Sequence, residues 1–127
     1  MEADIAGLQR KVVSSSVKPA RISDGESGIA LKNGRTLPFV VERSWSAPAG
    51  HYDEAWYLVD PATREVLYQG SSGEVRVWGL QSWTPFSDTV TEPIALAPGN
   101  YLLVFALGGV QGGETTVTAA DVVGSAA

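Results

Sequence analysis

Short apolar runs separated by turn-forming residues fill the sequence from about residue 20 onward. In residues 36–45, apolar residues alternate with polar ones. The apolar residues at every second position are Leu37, Phe39, Val41 and Trp45. Such alternation is typical of a strand with one buried face. The dipeptide Asn33-Gly34, which precedes this run, indicates a hairpin with a type I′ turn. The run 101–107 is apolar on both parities, so we predict a central strand there that is buried on both faces.

The connections between these runs are too short and too polar to contain a crossover helix, which parallel strands require. We therefore predict an all-β domain over residues 20–127, an antiparallel β-sandwich of Greek-key or jelly-roll type with about eight strands. The Asp60-Pro61 turn and the segment Pro98-Gly99-Asn100-Tyr101 resemble the turns of many bacterial β-sandwich modules. That resemblance extends to turn chemistry and implies no functional residue.

Residues 1–19 differ from the rest and are predicted to form a helical arm and linker. Apolar residues at helical spacing indicate a short N-terminal helix over residues 2–13, followed by a linker at Ser14-Ser15-Ser16. Residues 1–21 have a formal charge of +2 and residues 22–127 a charge of −7, which together give −5. We expect this arm to dock on a partner or on the body of the chain itself. The candidate interface residues are Ile5, Leu8, Arg10, Lys11 and Val12.

Composition excludes several kinds of chemistry. The 127 residues include no Cys and one His, which rules out disulfides, Cys-ligated zinc and His-rich metal sites. We predict no metal site and no cofactor. A net charge of −5 with only three Lys argues against nucleic acid as a partner. The written chain has no secretory signal and no long apolar stretch, so we expect no transmembrane segment, and a cytoplasmic location or a place in an assembly by default.

A loop containing two tryptophans is the best candidate ligand site. In Trp78-Gly79-Leu80-Gln81-Ser82-Trp83, two indoles lie on either side of hydrogen-bonding groups. We propose Trp78, Gln81 and Trp83 as ligand-binding residues for a carbohydrate or a peptide. By contrast, the positions of Trp45 and Trp56 predict that both are buried in the core.

One histidine beside carboxylates defines a second chemical candidate. His51 could act as a general base with acidic residues brought near it by the fold. The carboxylates Asp53, Glu54, Asp60, Asp88 and Glu92 could also supply the acidic pair of a glycosidase or hold a hard cation such as Ca²⁺. No GxSxG nucleophile motif accompanies them. Of the three functions that the sequence suggests, an interaction subunit, a ligand-binding module and a hydrolase, the hydrolase has the fewest supporting residues.

The low charge density favours an interaction protein over an enzyme. Charged residues make up 18% of the chain, against about 25% in an ordinary domain. Because charged residues are depleted in interface cores, we predict a non-enzymatic structural or interaction subunit that acts through protein–protein contacts in a homo-oligomer or larger assembly. A carbohydrate- or peptide-binding module is the alternative, and a hydrolase that uses His51 the second alternative.

Overall fold

The computed structural model describes residues 10–20, 27–70, 73–80 and 83–122. These residues form ten strands in two sheets and contain no helix. The strands are β1 (Lys11–Pro19), β2 (Ile29–Lys32), β3 (Arg35–Thr36), β4 (Phe39–Ser46), β5 (Gly50–Val59), β6 (Val66–Gln69), β7 (Gly73–Val77), β8 (Thr84–Val90), β9 (Gly99–Leu107) and β10 (Val110–Asp121). The all-β prediction is confirmed.

The strands divide unequally between the two sheets. The smaller sheet has the order β1-β4-β8, and the larger has the order β3-β2-β10-β9-β5-β6, with β7 pairing on β5 as well. The larger sheet is curled into a half-barrel. Every strand pairing is antiparallel except that of β2 with β10, which is parallel.

The predicted N-terminal helix is not seen. Residues 1–9 lie outside the described part of the chain, and residues 11–13 belong to β1, where Lys11 pairs with Ser46 and Val12 with Trp45. The three serines predicted to be a linker continue the same strand. The ladder with β4 provides hydrogen-bond partners for their backbone, and an edge strand tolerates their exposed hydroxyls. Long-range pairing thus overrides a weak helical pattern in which two β-branched valines already favour a strand.

Residues from both sheets build one apolar core. The largest fully buried side chains are Trp45, Trp56, Phe39, Phe105, Leu31, Leu58, Leu103, Leu107, Val41 and Val77. The prediction that Trp45 and Trp56 are core residues is confirmed. A glycine faces each indole: a Cβ atom at Gly112 would overlap Trp45, and one at Gly70 would overlap Trp56. Only glycine therefore allows the backbone to approach these two rings.

Two tyrosines fix the entries to neighbouring strands β5 and β9. The Tyr52 hydroxyl donates a hydrogen bond to the Pro48 carbonyl at 2.8 Å. The Tyr101 hydroxyl donates to the Ala97 carbonyl at 2.6 Å. In both cases the acceptor lies four residues upstream, so each tyrosine ties its strand to the preceding turn.

Strand β9 is buried on one face only, so the prediction of burial on both faces is wrong. Leu103, Phe105 and Leu107 point inward and are buried. Leu102 and Val104 point to the opposite face and stay half-exposed. The reason is that no second layer within the described residues covers the outer face of the larger sheet.

Candidate functional site

Three large apolar side chains are exposed together on the connection between β7 and β8. Trp78 is 60% exposed, Leu80 42% and Trp83 58%. We call these three residues the tryptophan surface. Large apolar side chains exposed in a group mark interaction sites more often than single ones do. Gln81, the third residue predicted to bind a ligand, lies outside the described residues.

Hydrogen bonds to both sides of this connection hold the tryptophan surface in place. The Trp78 amide donates to the Thr84 hydroxyl oxygen at 2.9 Å, and Thr84 is buried at the start of β8. The Ser46 hydroxyl donates to the Leu80 carbonyl at 3.1 Å. The exposed indoles are therefore presented by an anchored backbone. A preorganised surface of this kind loses less conformational entropy when it binds.

A cavity of about 570 Å³ adjoins Trp78 at the end of the larger sheet. Its lining residues are Ala49, Gly50, His51, Arg76, Val77 and Trp78. His51 on β5 lies directly opposite Arg76 on β7 in the strand register. None of these described lining residues is a carboxylate. Its polar side chains therefore suit an acidic or hydrogen-bond-accepting group next to an apolar one.

Of the carboxylates in the hydrolase hypothesis, Asp53 lies two residues from His51 on the same exposed face of β5, whereas three others lie elsewhere. Glu54 lies on the opposite, buried face of β5, and Asp88 lies in the smaller sheet. Asp60 accepts the backbone amide of Ala62 in a turn. Among the residues that the structure describes, no group of three or more His, Asp or Glu could hold a metal ion.

Glu54 and Asp88 instead meet around a buried arginine that connects the two sheets. The Arg43 guanidinium donates to both carboxylate oxygens of Glu54, with Nε to Oε2 at 2.7 Å, and its Nη2 lies 3.0 Å from Asp88 Oδ2. Trp45 Nε1 donates to Glu54 at 3.0 Å, and Trp56 Nε1 donates to Asp88 at 2.8 Å. We call these five residues the ionic cluster.

Burial and pairing act in opposite directions on the charge of Arg43. Desolvation lowers the pKa of its guanidinium, but the hydrogen bonds and charges of Glu54 and Asp88 outweigh that effect, so the net pKa is raised. The arginine therefore stays charged inside the core. The sequence contains a signal for this cluster. Arg43 lies at the same alternate positions of the strand as the apolar residues Val41 and Trp45, so the alternation predicts that its charged side chain points into the core.

The predicted interface residues that the structure describes divide into two groups. Arg10 contacts its own domain: Nη1 donates to the Leu107 carbonyl at 3.0 Å, and the guanidinium carbon lies 4.8 Å from the centroid of the Tyr52 ring. Val12 packs against the core, while Lys11 is exposed. Ile5 and Leu8 lie outside the described residues.

Comparisons with known proteins show the fold but no family. No family model matches the sequence, and no curated protein matches it. A Pseudomonas fluorescens alkylpurine DNA glycosylase, AlkC, bound to DNA with an abasic site analogue, is similar in structure with a TM-score of 0.51 and 12% identity over 87% of this chain. A Listeria innocua β-glucosidase in complex with laminaribiose has a TM-score of 0.49 and 13% identity over 84%.

This chain is much shorter than either protein. It spans 30% of the glycosylase chain and 16% of the glucosidase chain. At 12% identity the likeness to the glycosylase concerns the fold, which by itself does not imply a function. No helix within the described ranges is long and apolar enough to cross a membrane.

Proposed function

We propose that this chain is a non-catalytic, immunoglobulin-like β-sandwich module that binds a partner protein through the tryptophan surface. The strand order supports the sandwich. The neighbours β1-β4-β8 correspond to the A, B and E strands of that fold, and β10-β9-β5 to the G, F and C strands. A buried tryptophan on the C strand and a tyrosine corner at the start of the F strand are hallmarks of it, and Trp56 and Tyr101 occupy those positions.

The exposure of three apolar side chains on an anchored backbone is the observation that carries the binding function. Tryptophan is enriched among the residues that dominate binding energy at protein interfaces. Leu80 extends the apolar area between the two indoles along the chain. A leucine adds nothing to a sugar-stacking platform, so its presence favours a protein partner. The cavity beside Trp78 adds Arg76, which favours a partner segment with a carboxylate next to an apolar side chain.

Carbohydrate binding is the second candidate function, supported by the cavity. Trp78 offers an aromatic face there, and His51 and Arg76 offer hydrogen-bonding groups at its edge. Sites that hold small ligands combine such an apolar wall with a few polar groups. The hydrolase hypothesis stays an untested prediction.

Binding measured with defined probes tests the proposal. The probes are short peptides with the same apolar residues and either acidic or basic flanks, together with a glycan array. We expect the acidic peptides to bind more tightly and to quench tryptophan fluorescence. Trp78→Ala combined with Trp83→Ala should weaken this binding by about tenfold or more, the effect of losing one interface hot spot. Arg76→Glu should weaken binding of acidic peptides only.

A matched control separates loss of the site from general damage. Val122→Ala removes an apolar side chain that is 37% exposed just after β10, next to Leu31 at the end of the larger sheet opposite Trp78, and should leave peptide binding unchanged. Equal binding of the peptides to the wild type and the double tryptophan variant would contradict the proposal, as would no peptide binding at all. Binding of glycans alone, lost in the double variant, would favour the second candidate.

A further inference from the structure

The outer face of the larger sheet is apolar where an exposed sheet surface is normally polar. On β5, Tyr57 and Val59 point outward, and their cross-strand neighbours on β9 are Val104 and Leu102. Val66 on β6 lies opposite Val59 and is 53% exposed. Antiparallel sheets with one face in water usually alternate apolar inward and polar outward. We call these five residues the outer apolar face.

The burial of Val59 shows that this surface is separate from the core. Val59 is only 5% exposed, yet it does not belong to the core cluster. It lines a concavity of about 210 Å³ between the strands. The lining residues of that concavity are Tyr57, Val59, Arg64, Val66, Val104 and Gln111.

Two opposite charges border the outer apolar face. Arg64 Nη2 lies 3.5 Å from Glu114 Oε1 on β10, although β5 and β9 separate β6 from β10 in the sheet. Arg64 has a φ of 64°, a backbone conformation that is uncommon for residues other than glycine. The backbone of the turn is therefore strained at Arg64, whose side chain lies along this face. Both side chains stay accessible, with 58% and 39% exposure, so this pair can exchange partners at little cost.

We propose that two copies of this chain pair through the outer apolar face about a two-fold axis. An apolar centre with one positive and one negative border residue is self-complementary, because rotation brings Arg64 of one copy to Glu114 of the other. The face itself is neutral, which favours a second copy over a strongly charged partner. This surface differs from the tryptophan surface, so the inference does not depend on the proposed function.

The size of the face predicts a weak dimer. Three strands about 4.8 Å apart, each contributing roughly three residues of about 3.3 Å, give a flat area of about 140 Å² per copy. Stable interfaces bury about 800 Å² per partner. We therefore expect a concentration-dependent equilibrium between monomer and dimer.

Sedimentation equilibrium of the full chain over a concentration series tests this inference. The measurement belongs at about 0.15 M salt, where the Debye length of about 8 Å screens the net charge of each copy. Val66→Lys should raise the dimer dissociation constant by about tenfold or more. Val13→Lys places the same charge on an exposed valine of β1 and should leave the constant unchanged.

A charge exchange makes the test specific for the two-fold contact. Arg64→Glu alone and Glu114→Arg alone should each weaken the dimer, whereas the two together should restore it. The double tryptophan variant should dimerise like the wild type, which separates this inference from the proposed function. A monomer at every concentration would overturn the inference. Equal effects of the two lysine substitutions, or no rescue by the charge exchange, would do so as well.

Discussion

Removing the charge of Glu54 probes the ionic cluster at its centre. The Glu54 carboxylate accepts two hydrogen bonds from Arg43 and one from Trp45, and its side chain is 3% exposed. Glu54→Gln keeps the shape but replaces one acceptor oxygen with an amide. That NH₂ group then faces a guanidinium or an indole N–H, both of which are donors. The substitution thus weakens an ion pair and creates a donor–donor contact inside the core.

The structure sets the expected size of the effect. Breaking a buried ion pair by removing one partner costs about 3–5 kcal/mol, since the remaining charge is left without compensation. Here Asp88 still lies 3.0 Å from Arg43 and is 23% exposed, so part of the compensation persists. We therefore expect Glu54→Gln to lower the free energy of unfolding by about 2–4 kcal/mol, near the lower end of that range. A domain of ordinary stability, about 5–15 kcal/mol, would still fold.

Urea unfolding followed by circular dichroism measures the change. The control is Glu42→Gln on β4, where the carboxylate pairs with Lys18 at 3.3 Å but both side chains are about half exposed. An exposed pair of this kind contributes about 0–1 kcal/mol. The same chemical change at a buried and at an exposed carboxylate thus separates the effect of burial from the effect of losing a carboxylate.

A double-mutant cycle then tests whether the cluster acts as a unit. Arg43→Met removes the cation and leaves two carboxylates without it, so it should destabilise more than Glu54→Gln. The two substitutions together should cost less than the sum of their separate effects, with a coupling of about 1 kcal/mol or more. Additive effects, or a cost of Glu54→Gln no larger than that of Glu42→Gln, would refute the reasoning.

Three further predictions concern packing, the tyrosine corner and pH. Gly70→Ala should lower the free energy of unfolding by about 1–3 kcal/mol, because its Cβ overlaps the immobile Trp56 ring; a normal denaturation midpoint would contradict this. Tyr101→Phe removes one hydrogen bond and should cost about 1 kcal/mol in the same assay. Burial and the neighbouring Glu92 raise the pKa of Tyr68 above about 10. Stability contributed by the neutral phenol is therefore present below about pH 10 and falls as pH rises further, a fall that Tyr68→Phe should reduce in unfolding curves at different pH.

Alternation of apolar and polar residues predicts those strands whose buried and exposed positions follow from residues close together in the sequence. In β4, successive residues alternate between buried and half-exposed along the whole strand. The predicted type I′ turn is likewise determined locally: Asn33 has a φ of 55° and Gly34 a φ of 75°, as both central residues of that turn require. These features follow from neighbours within a few residues, so one sequence is enough to find them.

Features that depend on distant pairing were not predictable in the same way. The helical spacing at the N-terminus is a local pattern, but Lys11–Pro19 pairs with β4, whose residues are far along the chain. The described residues form ten strands rather than about eight, since β1 replaces the predicted helix and linker and β3 is separate from β4. Two of the three residues of the tryptophan surface, Trp78 and Trp83, are residues that the sequence predicts to bind a ligand; their exposure is shown and their binding stays a prediction. The hydrogen bonds of Trp78 to Thr84 and of Ser46 to Leu80 depend on the folded structure and have no local sequence signal.

The exceptions to alternation carry most of the functional information in this chain. An inward charge at Arg43 requires inward carboxylates from both sheets, which fixes how the sheets meet and gives the ionic cluster a structural role. The outward apolar residue Val66 is 53% exposed among the described residues, so the proposed dimer would bury it further. Trp78, on a separate surface, is likewise a large apolar side chain that is exposed in the isolated domain. Substitutions of Arg43 should therefore change unfolding and binding together, whereas substitutions of Val66 or Trp78 should change association while the unfolding free energy stays nearly constant.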